Sequence, residues 1–76
     1  MNKEQLKLYN ICVSSGENHT ITKMWYLMKE KDSGFYKWMD LTENLIFPDR
    51  YSNIESAEEY LDYLIDKKEL IKWNRV

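Results

Sequence analysis

A small α+β fold is the architecture this chain predicts: an antiparallel sheet of three to five strands with one amphipathic helix packed on one face. Three observations carry that expectation. Two β-rich segments, residues 20–31 and 35–41, flank the glycine turn Asp32-Ser33-Gly34. Downstream, Ile54, Ala57, Leu61, Leu64 and Ile65 recur at steps of three and four, the buried stripe of a helix. A last β-rich segment, residues 69–76, follows that helix and returns to the sheet. At 76 residues the chain is one domain, with a core only just large enough for its length.

Each element has its own justification. In residues 5–14, Leu6 and Leu8 alternate with Tyr9, Ile11 and Val13 on the other parity, which predicts a strand. A short helix over Lys3 to Asn10 is the rival, because Glu4 to Leu8 are good helix formers. Ser14 to Asn18 is loop by composition. Thr20 to Lys31 reads as the longest strand, with apolar groups on both parities, so that both faces would be partly covered. A three-residue loop at 32–34, with Gly34 at positive φ, would set Leu27 beside Met39 and Met28 beside Trp38. Leu45-Ile46-Phe47 predicts a short third strand or edge, ended by Pro48. Ser52 and Glu55 have the spacing of a capping box. Lys67 and Lys68 suit the helix C-terminus.

Charge is distributed unevenly. Residues 1–37 hold six lysines against four acids, whereas residues 55–69 hold six acids against Lys67 and Lys68. The acidity therefore belongs to the helix. The single cysteine excludes an internal disulfide, and together with the polar start Met1-Asn2-Lys3 it leads us to expect a soluble protein of a reducing cytoplasm. No apolar run reaches the ~18 residues of a membrane span.

Residues 26–61 resemble a module of small bacteriophage and prophage accessory proteins of unassigned function. The matching residues are Tyr26-Leu27, Ser33-Gly34-Phe35-Tyr36, Asp40-Leu41, Phe47, Tyr51-Ser52, Glu55, Ala57, Glu58 and Glu59. Asn44 and the inserted Pro48-Asp49-Arg50 depart from the pattern, leaving Tyr51 as a substitute for the aromatic role of Phe47. What the resemblance implies is a phage origin rather than an activity. Because small accessory proteins of phages often bind a host enzyme or defence factor, the expectation it adds is a protein partner in a bacterial cytoplasm, with inhibition of that partner as one form of it.

The residues themselves argue against an enzyme and against any cofactor or metal. Cys12 lies between Ile11 and Val13 and reads as a small buried hydrophobe. His19 sits alone in a loop, and no phosphate loop or metal-ligand spacing is present. Two surfaces are candidates for a protein partner. One is the acidic helix face, Glu55, Glu58, Glu59, Asp62 and Asp66, expected on the solvent side. The other comprises hairpin and terminal anchors, Tyr26, Tyr36, Trp38 and Trp73. Charge reversal of Glu58 and Asp62 is expected to leave folding intact. An alternative from another class is a nucleic-acid platform in which Trp25, Tyr26, Phe35, Tyr36 and Trp38 stack bases among Lys23, Lys29, Lys31 and Lys37. A third reading is self-assembly, including a homodimer, through an uncovered edge strand.

Overall fold

A computed structural model describes residues 7–76. The order is β1 (Lys7–Ser14), β2 (Thr20–Lys29), β3 (Tyr36–Asp40), β4 (Leu45–Ile46), α1 (Ile54–Asp66) and β5 (Lys72–Arg75). The five strands form one antiparallel sheet, ordered β4-β3-β2-β1-β5. The α+β expectation holds. Lys7 to Asn10 are strand, which removes the rival helix over those positions; residues 3–6 lie outside the described residues.

The helix packs on one face only. Tyr9 and Ile11 of β1, Trp25 and Leu27 of β2 and Trp38 of β3 share a parity and meet Ala57, Leu61 and Leu64 of α1, with Leu70 closing the same core. Trp38 is its centre: fully buried, edge-on to Tyr9 at 4.9 Å and tilted against Trp25 at 5.6 Å. Its indole Nε1 donates to the Ala57 carbonyl at 3.1 Å. Ala57 has no side chain beyond Cβ, so the helix comes close enough for that contact. Phe47 and Tyr51 both pack on this core, so neither replaces the other.

Three local expectations need correction. The hairpin closes at Glu30 and Phe35, with Gly34 donating back to the Glu30 carbonyl at 2.9 Å and holding φ 77°. Four residues, not three, therefore form the loop, and the register slides by one: Leu27 faces Trp38, and Met28 faces Lys37. The slide puts the two bulky apolar groups together under the helix.

The helix cap is Asn53 rather than Ser52. Tyr51 is still held in a backbone pair with Tyr36, so the chain is extended there, and Asn53 is the residue whose Oδ1 accepts from Ser56 N at 2.7 Å.

At the other end Lys67 is the cap and Lys68 lies beyond the helix at φ 63°. The Lys68 N–H bonds the Ile65 carbonyl (3.0 Å) and the Glu69 N–H bonds the Leu64 carbonyl (2.9 Å), the Schellman pattern that usually carries glycine. The two lysines thus terminate the helix instead of filling its last turn.

Candidate interaction surfaces

The acidic helix face divides in two. Glu58 was expected on the solvent side but is mostly covered, its side chain 13% exposed. It borders the apolar stripe and reaches across to both β1 and β5. Its Oε2 accepts from the Tyr9 hydroxyl at 2.6 Å and from Arg75 Nε at 2.6 Å, and its Oε1 accepts from Arg75 Nη2 at 2.8 Å. The Arg75 guanidinium, aided by the Tyr9 hydroxyl and opposed by burial, holds the Glu58 carboxyl below its ordinary range. Burial, and then the adjoining carboxylate, push the Tyr9 phenol well above its own. Asp62 likewise accepts from Trp73 Nε1 at 2.9 Å.

These two acids clip the helix to the terminal strand. Reversing their charge would remove these bonds, so the double variant is expected to lose stability rather than leave folding intact. Glu55, Glu59, Asp62 and Asp66 are exposed, as expected, Asp62 while holding Trp73.

The hairpin aromatics do not form one platform, because the pleat sends them to opposite sides. Trp38 is fully buried and Trp25 nearly so, both under the helix. The Trp25 Nε1 is buried with no hydrogen-bond partner among the described residues. Tyr36 packs on the core with Lys29 5.9 Å from its ring centre, while Tyr26 points to the other face of the sheet. Trp73 is half-buried against Tyr9, at 5.7 Å between rings, which makes it part of the core margin.

The surrounding lysines are largely engaged. Lys23 lies 3.8 Å from Asp40 and 3.6 Å from Glu43, and Lys37 lies 3.8 Å from Glu30, which also meets Arg50 at 3.3 Å. Asp40 is itself almost fully buried. Its Oδ1 accepts from the backbone N–H groups of Thr42 and Glu43, tying the turn into β4.

A surface that the sequence reading did not single out is the other face of the sheet. It was expected to be partly covered, but the one helix among the described residues lies on the opposite side. Register places Ile46 beside Met39, Met39 beside Tyr26, and Tyr26 beside Leu8, while the Val76 N–H donates to the Leu8 carbonyl. These five apolar residues form one row across the full width of the sheet. Met28 flanks the row on one side and Met24 on the other. Cys12 and Thr22 lie further along the same face, and Cys12 is half-buried rather than in the core. The signal was present in the sequence as the second apolar parity of β2, but its meaning depended on which face the helix took.

Cys12 and His19 are not joined by any hydrogen bond among the described residues; Cys12 lies on the open face of β1 and His19 in the exposed β1–β2 loop. Among the described residues no three His, Cys, Asp or Glu side chains are grouped to hold a metal ion, and no helix is long and apolar enough to cross a membrane.

No family model, curated protein or solved structure matches this chain.

Proposed function

We propose that this chain is a non-catalytic interaction protein that acts by protein–protein contact through the open face of its sheet. The observation that carries the reading is the apolar row Ile46–Met39–Tyr26–Leu8–Val76, which no element among the described residues covers. A contiguous apolar surface on a small protein marks an interaction site. Methionines flanking a tyrosine suit such a site, since thioether chains repack against varied shapes and a tyrosine anchors them. The resemblance of residues 26–61 to phage accessory proteins makes a host enzyme or defence factor of the bacterial cytoplasm the foreign partner to test for, beside a second copy of this chain.

The nucleic-acid reading has less support. Its aromatics are divided between two faces, and Lys23 and Lys37 already sit beside carboxylates.

Affinity capture from bacterial lysate treated with nuclease tests the proposal, with Met39→Glu compared against Glu55→Lys combined with Glu59→Lys. The reading expects a protein bound in stoichiometric amount, this chain's own copies included, lost in Met39→Glu and kept in the helix variant. Loss in the helix variant alone would move the site to α1, and recovery of nucleic acid in untreated lysate alone would replace the reading.

A further inference from the structure

The open face has a character that narrows what can cover it. Of the charged residues on the strands, only Lys37 and Lys72 share its parity, and Lys37 stands beside Glu30. The opposite side of the molecule carries the exposed acids Glu55, Glu59 and Asp66 on α1. A charged foreign surface gains little attraction from the open face, whereas an identical face meets it without repulsion. The apolar row also crosses the sheet from edge to edge at right angles to the strands. A two-fold axis running along such a row brings it onto itself, which is what an isologous interface requires.

We infer that the occupant of the open face is a second copy of this chain, the two sheets stacking face to face with both helices outermost. The inference rests on the preceding reading of that face and names its partner.

The area is sufficient. Strands about 4.8 Å apart with a rise of about 3.3 Å per residue give five strands a face about 24 Å wide that tapers from about 33 Å along β2 to about 7 Å at β4, on the order of 500 Å² in all. A pair then buries on the order of 1,000 Å², the lower bound for specific association. Stacked sheets sit about 10 Å apart, which puts the acidic helices on the two far sides, separated by more than the ~8–10 Å over which salt lets charges interact. Chains of this size usually need a staple beyond their own core, and pairing of sheets provides one without a disulfide or a metal.

Cys12 provides a reporter, because it is the chain's single cysteine and stands on the face in question. The experiment is sedimentation velocity on the full chain from about 1 to about 500 μM, a span wide enough to reveal association through an interface at the small end of the specific range. The rate of thiol labelling of Cys12 is followed over the same range. The expected result is a mass rising from 9.3 kDa toward about twice that value. Labelling of Cys12 should slow several-fold in parallel, and Met39→Glu should remain monomeric while keeping the wild-type circular dichroism.

A mass fixed at 9.3 kDa with labelling independent of concentration overturns the inference. A dimer whose Cys12 reacts at the monomer rate also overturns it, and points to edge pairing through β5. If Met39→Glu fails to fold, the thiol rate of the unaltered chain decides alone. A monomer that captures a different protein through Met39 removes the second copy and leaves the interaction reading standing. A monomer that captures nothing removes both.

Discussion

Trp38 and Met39 are neighbours in one short strand and have opposite fates. The tryptophan is fully buried, ringed by Tyr9 and Trp25 and bonded to a helix carbonyl. The methionine is half-exposed between Ile46 and Tyr26, with no element above it among the described residues. Both are large and apolar, so composition alone treats them alike. The pleat separates them, and the position of α1 decides which of the two faces becomes core. Hydrophobicity in a strand therefore does not by itself mean core. On the face that the helix leaves open, the same property marks a surface for another molecule.

The sharpest way to break this comparison is to truncate each of the two residues to alanine and unfold the variants in urea at low protein concentration. Trp38→Ala removes a fully buried indole and should cost about 3–5 kcal/mol, enough to unfold much of the population. Met39→Ala should cost about 1 kcal/mol or less, because its side chain is already partly in water. Equal losses at the two positions would mean that the open face is as tightly packed as the helical one.

A smaller effect tests the clip between helix and terminal strand. Glu58→Gln keeps the shape but weakens the charge-assisted bonds to Arg75 and Tyr9, and should cost about 1–2 kcal/mol at neutral pH. The pH dependence has a definite sign. The Glu58 carboxyl titrates lower in the folded chain than its ordinary 4.5, so the unfolded state binds more protons in the interval between the two values. Its contribution is complete above about 4.5 and is lost as the pH falls through the folded value. Urea midpoints measured down the acid limb should fall less steeply in Glu58→Gln than in the wild type. Identical limbs would show that the clip carries no stability.

The smallest effect, and the one opposite in sign, is at the helix end. Lys68 holds a left-handed conformation that costs an L-residue with a side chain about 1 kcal/mol relative to glycine. Lys68→Gly should raise stability by about that amount, visible as a higher thermal midpoint. A lower midpoint would mean that the lysine side chain makes a contact that offsets the strain.

Much of this arrangement was legible before any coordinates. The stripe Ile54, Ala57, Leu61 and Leu64 faces the sheet, the hairpin turns at Gly34, and the chain returns as a strand after the helix. Those are local properties, written in the period of the apolar residues and in turn chemistry. The errors were also instructive. One residue more in the hairpin loop moved every cross-strand pair, since a slip of one exchanges the faces of a strand. Glu58 looked like one more solvent-facing acid on the helix wheel, and Asp62, though exposed as expected, gave no sign of its bond to Trp73. Their partners Tyr9, Trp73 and Arg75 lie far off in sequence, and no spacing within the helix announces them.

The sequence by itself determined the α+β class, the hairpin at Gly34, the helix and the strand that follows it, the face that α1 buries and the segregation of acid onto that helix. Each depends on neighbours a few residues apart, where periodicity and propensity act. The tertiary structure alone decided which side of the sheet the helix would cover, which acids would be held by β1 and β5, and that Ile46, Met39, Tyr26, Leu8 and Val76 would line up as one row on the face away from the helix. Those outcomes depend on register between strands distant in the chain, and register is fixed by the packing of the whole sheet against one helix.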